Sequence, residues 1–326
     1  MGKVLKIVLL ITISAIGLYF AFHNIDFNVL FNRLLKIDLT KFFAAILILM
    51  VACLFRAKRL EYILYPLDKN ISLHHLFSST MIGYFGNGIL FFRFGEILKA
   101  YSISQGNKIT ISESFGIIMI ERILDALTVL LLLIISLPWL PIENTTINYW
   151  VSAFAVITIL FTIFILILRK INWDNLINDL SFLNESLRSL LVSVMKKIFN
   201  GIDSIKNTKH NWGIIISTFL IWTCYYLMTL LLLESCQIYL TFSGTFIMLI
   251  MGAIIIAVPA LPGGLGTYEA GITFSLVLLY SVTKDEALTY AIVSHASNYI
   301  PYLIVGSIYF IISGLKISDI KNKANS

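Results

Sequence analysis

Residues 242–269 read FSGTFIMLIMGAIIIAVPALPGGLGTYE, and the fold class turns on them. From Phe242 to Val258 the chain carries no charge and is almost wholly apolar. It then meets Pro259 and Pro262, followed by Gly263, Gly264 and Gly266. Proline stops a helix, and glycine frees the turn that follows. Thr267 is expected to cap a new helix with Glu269 in its first turn. A helix that starts inside a bilayer aims free N–H groups and a positive dipole end into the interior, a place for an anion. Discontinuous helices of transporters bind substrates this way. No Gly-Lys-Ser/Thr follows, so the glycines are not a P-loop.

The rest of the chain agrees with a membrane setting. Of 326 residues, 58% are hydrophobic and 13% charged, and the mean hydropathy is +0.89. A soluble domain carries about 25% charged residues, so lipid must be much of the solvent here. Apolar runs at 4–22, 42–55, 115–137, 150–168, 212–233, 242–258, 270–280 and 287–312 predict about eight spans. The first follows Lys3 and Lys6 but no small-residue cleavage site follows it, so it reads as a retained span. A ninth run, 76–92, is interrupted by Gly83, Gly86, Asn87 and Gly88. The expected architecture is an all-α, polytopic transmembrane helix bundle with at least one re-entrant or broken helix. It is a single domain over 1–312 with a basic tail, 313–326.

Charge sets the orientation. The loops 138–148 and 235–243 hold no Lys or Arg and read as external. The segment 169–211 holds seven and reads as cytoplasmic, as do both termini. Only 24–41, with Arg33, Lys36 and Lys41, dissents. Arg56, Lys58 and Arg59 before the glycine-interrupted run, and Lys99 and Lys108 after it, are all assigned to the cytoplasm, so that run must dip in and return. Irregular backbone at that depth has to be wrapped by protein or line a wet cavity. The net charge of +6 is thus explained by loop bias; no nucleic-acid motif accompanies it. Cys53, Cys224 and Cys236 have no metal or disulfide spacing, and no cofactor is implied. Within 173–206, Leu176, Leu180, Leu183, Leu187, Leu190, Val194 and Ile198 form an apolar stripe between lysines. This predicts a surface-lying helix, and a possible docking face for a partner protein.

Four clusters place polar groups where lipid makes them costly. The first is Asn87 with Arg93, Gly95 and Glu96. Arg93 offers a fork suited to phosphate, and Glu96, three residues on, can pair with it. The second is Glu121, Arg122 and Asp125 inside one span. The third is Pro262, Gly263, Gly264, Gly266, Thr267 and Glu269. The fourth is His295 with Asn298, which share a helix face. Glu96 precedes Glu121 by 25 residues and Glu269 precedes His295 by 26. That spacing hints at an internal repeat, whose last elements run in opposite directions on this topology.

These motifs, in this order, resemble the transmembrane region of lysylphosphatidylglycerol synthases and the stand-alone, flippase-like proteins of that family. Pro262-Gly263-Gly264-Leu265-Gly266-Thr267-x-Glu269 is the most specific element. Phe91 and Phe92 stand where the family usually has a proline before Arg-x-Gly-Glu. The resemblance implies movement of a lipid headgroup between leaflets, with membrane lipids as partners. The sequence runs 14 residues past Ile312, so the soluble aminoacyltransferase domain of the synthases, and its activity, are not expected. The alternatives are a membrane enzyme using Glu121 or Asp125 as base, and a scaffold in lipid or glycan synthesis docking through 173–206. No metal cluster, nucleotide loop or nucleophile constellation supports an enzyme.

The topology has a direct check in a chain whose three native cysteines are replaced. Asn144→Cys is expected to react with an impermeant thiol reagent on intact cells, and Ser326→Cys is not. The reverse pattern overturns the orientation.

Overall fold

The computed structural model describes residues 3–68, 70–91, 94–139, 156, 160, 163, 167, 185–204, 207–258 and 261–315. Among the described residues it is all helical. Its α-helices are α1 (Lys3–Phe22), α2 (Phe27–Leu35), α3 (Leu39–Leu64), α4 (Leu73–Ile89), α5 (Gly95–Ser104), α6 (Ile111–Ser136), α7 (Glu185–Ser204), α8 (Asn211–Ser235), α9 (Phe242–Ala257), α10 (Thr267–Tyr280) and α11 (Lys284–Ile312).

Local chemistry marks where many of these helices begin. Asp26, Asp38, Ser72 and Thr241 each accept a backbone N–H in the first turn of α2, α3, α4 and α9. Thr110 with Glu113 and Thr283 with Glu286 form reciprocal capping boxes at the starts of α6 and α11. Along the helices, large apolar side chains face outward in stripes. Phe43, Leu47, Val51 and Leu54 line α3, and Ile300, Ile304, Ile308 and Ile311 line α11. Exposed stripes at helical spacing are what a lipid-facing surface requires.

Helices α3 and α8 form the spine. They run antiparallel along their length. At one end the Asp38 N–H donates to the Ser235 carbonyl (3.0 Å). At the other, Gly213 lies against the Tyr62 ring, which stacks on His210. Leu49, Met228 and Leu232 fill a core that continues into α9, α10 and α11.

Two helical hairpins pack on this spine. In the first, α4 returns as α5: the Ser79 and Ser102 hydroxyls are 2.9 Å apart, Gly83 faces Lys99, and Gly86 faces Gly95 and Leu98. In the second, α9 returns as α10: the Tyr280 hydroxyl donates to the Gly244 carbonyl (3.3 Å), and Gly271 lies against Ile255. Their longer arms have 17 and 16 residues, roughly 25 Å at about 1.5 Å per residue, short of the roughly 30 Å hydrocarbon core. The stretch 76–92, expected to be interrupted and to dip in and return by itself, is instead one unbroken helix through Gly83, Gly86 and Gly88 as far as Ile89, and the return is made by α5.

The eight predicted spans are not established by the described helices. By length and apolar character two qualify, α3 and α8, or three if α1 and α2, bent by 86°, count as one. The stretches 242–258 and 270–280, read as separate spans, are the two short arms of the second hairpin, because the proline and glycine break lets the chain fold back at once. Helix α6 is long enough at 26 residues but carries Glu121, Arg122 and Asp125 within it. The stretch 150–168 lies outside the described residues except for four positions, and residues 173–184 and 205–206 of the amphipathic segment lie outside as well. Its described part, α7, packs on α6 with Gly116 against Ile198. The loop 24–41 contains α2. Two of its dissenting cations are paired, Arg33 with Glu286 (3.0 Å) and Lys41 with Glu234 (2.7 Å).

The first hairpin closes only because Gly95 has no side chain: a Cβ there would collide with the Gly83 carbonyl and Asn87. Gly95→Ala is expected to cost about 1–3 kcal/mol through overpacking and to lower the melting temperature of the purified protein in detergent. Gly252→Ala, whose Cβ would meet only Ile272 Cδ1 at 3.7 Å, is expected to be neutral or stabilising, because alanine is the better helix former.

Candidate functional site

Three helices bring charges together in the bundle interior, and a fourth supplies hydroxyl partners. Helix α3 contributes Arg56 and Arg59, three residues apart and so on one face. Helix α6 contributes Glu121 and Asp125, four apart and so on one face. Asp125 sits between the two arginines, with Arg59 Nη2 at 2.8 Å from Oδ1 and Arg56 Nη1 at 2.9 Å from Oδ2. Arg56 also donates from Nε to the Tyr225 hydroxyl of α8 (2.7 Å), and Arg59 from Nη1 to Thr218 (3.3 Å). Lys99 of α5 reaches Glu121 at 2.5 Å. The Arg59 and Glu121 side chains are fully buried.

At the edge of this network the pairing loosens. Arg122 lies 3.9 Å from Glu96 and 3.7 Å from Asp125, beyond hydrogen-bond reach, and its side chain is 28% exposed. No hydrogen bond joins it to any described residue, and its Nε is buried without a partner. Glu96, in the first turn of α5, instead accepts a long bond from Asn87 Nδ2 (3.4 Å), while Asn87 Oδ1 is also buried and unpartnered among the described residues. Gly95 is the residue that lets α5 lie against Asn87. Counted together, four cations (Arg56, Arg59, Lys99, Arg122) face three carboxylates (Glu96, Glu121, Asp125).

The second hairpin builds a different arrangement from the glycine-rich element. Pro262, Gly263 and Gly264 form a 3-10 turn, and Gly263, Gly264 and Gly266 adopt positive φ of 73°, 83° and 86°. Only glycine takes this backbone cheaply. The N-cap of α10 is Gly266, not Thr267 as predicted. The Thr267 hydroxyl instead donates back to the Gly264 carbonyl (3.0 Å). Glu269 Oε2 accepts the Gly266 N–H (2.7 Å), so this chain's own carboxylate occupies the helix start expected to receive an anion. Its other oxygen meets His295 Nδ1 at 2.5 Å, and His295 Nε2 lies 3.0 Å from the Gly263 carbonyl. His295 thus ties α11 to the break. Asn298, expected to work beside it, donates to the Ser294 carbonyl of its own helix (2.9 Å).

The two hairpin tips meet at Tyr299, whose ring packs on Gly263 and whose hydroxyl donates to the Gly88 carbonyl (3.0 Å). The four sequence clusters therefore fall into one central region. Glu121, Arg122, Asp125, Glu96 and Asn87 form one group, and Glu269, His295 and the glycines form another. Arg93 lies outside the described residues. The sequence reading missed Arg56, Arg59 and Lys99. They were assigned to cytoplasmic loops, yet α3 continues to Leu64 and buries both arginines, and α5 buries Lys99. The available signal was complementarity: an i,i+3 pair of arginines at the end of one apolar run and an i,i+4 pair of carboxylates inside another.

Charged residues buried among helices with lipid-facing stripes define a multi-pass membrane protein with a polar interior. The family described as the lysylphosphatidylglycerol synthase TM region matches residues 5–306, and the chain belongs to it. Comparison with curated proteins and with solved structures finds no match.

Asp125 and Arg122 should respond differently to replacement. Asp125→Asn leaves two buried arginines short of a counter-charge and is expected to cost about 3–5 kcal/mol, so membrane abundance falls sharply on a blot. Arg122→Ala removes the cation outside the tight pairs, and abundance is expected to stay near that of the unaltered chain.

Proposed function

We propose that this protein binds the phosphate of a lipid headgroup at Arg122 and carries the lipid between leaflets. The observation that supports this reading is the Arg122 guanidinium. It is partly exposed and free of hydrogen bonds to the described residues, in a network with one more cation than carboxylates. A planar fork held only by loose ion pairs, with no hydrogen bond to the described residues, suits a phosphate, which it can engage through two charge-assisted bonds. A buried surplus of positive charge is costly unless a ligand or water answers it. Membership of the lysylphosphatidylglycerol synthase family places the function among lipids. Arg93, between α4 and α5 in the chain, joins the same proposal as a second phosphate contact.

The enzyme alternative loses ground because Glu121 and Asp125 are held by Lys99, Arg56 and Arg59 and are poorly placed to act as bases. The scaffold alternative keeps only the face of α7 that is turned away from α6.

In proteoliposomes containing fluorescent phospholipids, the unaltered protein is expected to raise leaflet exchange, measured by dithionite quenching. Arg122→Ala is expected to reduce the rate at least about tenfold, as loss of charge-assisted bonds worth roughly 1.5–3 kcal/mol implies. Arg122→Lys keeps the charge without the fork and should fall between the two. A fully active Arg122→Ala overturns the site.

A further inference from the structure

A shift of 173 residues carries the first half of the chain onto the second. It takes Glu96 to Glu269, Thr110 to Thr283, Glu113 to Glu286, Arg122 to His295 and Asp125 to Asn298. The structure gives these partners the same local places. Glu96 and Glu269 each stand in the first turn of a hairpin's return helix. The two Thr-Glu capping boxes open the long helices that follow. Arg122 faces Glu96, and His295 faces Glu269. The same shift takes α3 to α8, so the pair that forms the spine is a pair of equivalents. They are antiparallel, and the contact of Asp38 with Ser235 at one end is matched, within two residues, by that of Tyr62 with Gly213 at the other. Equivalent helices packed antiparallel mark an inverted repeat, with its two-fold axis crossing them. The two hairpins then enter from opposite faces, the first from the side of the basic loops.

The halves share a plan but not a state. In the second, Glu269 and His295 are in direct contact, both 8% exposed, and His295 also holds the tip at Gly263. In the first, Glu96 and Arg122 stand 3.9 Å apart with Arg122 partly exposed. The seams differ in the same sense. Helix α4 lies on α11 through Gly306 at Met81, Tyr84 stacked on Tyr302 and Tyr299 bonded to Gly88. The equivalent seam, α9 on α6, rests on Leu249 and Ile250 against Val129 and Leu133.

We infer that Glu96–Arg122 and Glu269–His295 are two equivalent latches, one for each hairpin and each leaflet, that close alternately around the central site. The structure holds the second latch closed by a direct hydrogen bond and the first only loosely, as an ion pair at 3.9 Å. When the second opens, His295 becomes the phosphate contact that Arg122 is in the present state. Each carboxylate takes the place of the headgroup phosphate while its own side is shut. The cargo in this scheme rests on the lipid-carrying reading above; the alternation of the latches does not.

The test reads the two tips directly. In a chain otherwise free of cysteine, Leu90→Cys or Leu265→Cys is labelled with an impermeant maleimide in right-side-out and inside-out vesicles. The two tips are expected to label from opposite faces. Adding Glu269→Gln is expected to raise labelling at Leu265→Cys at least tenfold and to lower it at Leu90→Cys. His295→Arg keeps a hydrogen-bond donor beside Glu269 and is expected to label like the unaltered chain, which separates unlatching from misfolding. Labelling of both tips from one face, or a change at Leu265→Cys with none at Leu90→Cys, overturns the inference. Lipid exchange measured on the same vesicles separates the two readings. Tips that alternate without moving lipid leave the latches standing and remove the cargo. Lipid that moves while the tips stay fixed does the opposite.

Discussion

Everything in the interior is arranged around Asp125. One carboxylate is shared by two arginines of a neighbouring helix, and neither side of that contact tolerates burial alone. The shared ion pair fixes the register of α6 against α3. Tyr225 and Thr218, bonded to the same arginines, fix α8 against α3. Lys99 answers the remaining carboxylate, Glu121, and draws in the return arm of the first hairpin. A network that joins four elements also narrows where a ligand can act, because most of its charges already have partners. Arg122 is the cation at the margin, and the margin is where the hairpin tips lie.

The hairpins depend on a second constraint, close approach of backbones. Gly86 on Gly95 and Gly271 on Ile255 bring the arms of each hairpin together. At the tip of the second hairpin the backbone leaves helical geometry, and the polar groups described there find partners within the protein. Ser14 of α1 accepts the Leu261 N–H (3.0 Å), and Gly17 of α1 lies against the Gly266 carbonyl. His295 and Glu269 take the Gly263 carbonyl and the Gly266 N–H. Irregular backbone inside a membrane is acceptable only when it is wrapped this way. The same wrapping makes the tip depend on side chains that can let go.

Much of this was legible in the amino-acid order because it depends on local chemistry. Apolar runs without charge and the proline-glycine break are read from neighbours a few residues apart. Glu121, Arg122, Asp125, Glu96, Glu269 and His295 stood out because each is costly in lipid, whatever surrounds it. Arg56 and Lys99 looked like ordinary loop cations, since nothing within their own segments tells a snorkelling arginine from one turned inward. The partner that decides is Asp125 for one and Glu121 for the other, 69 and 22 residues away.

The amino-acid order alone was enough to show a helical membrane protein, the proline-glycine break near 259–266 and the polar residues that need an explanation. That order also held the 173-residue correspondence between the halves, and the structure sets Glu96, expected to pair with Arg93, against Arg122. It took the folded chain to show that the segments flanking the 259–266 break fold back as a hairpin, that Glu269 fills its own helix start, and that one acid-base pair is hydrogen-bonded while its equivalent is a loose ion pair. These outcomes depend on which side chains from distant segments arrive at the same few ångströms. In a low-dielectric interior that proximity, rather than local preference, sets which charges are satisfied.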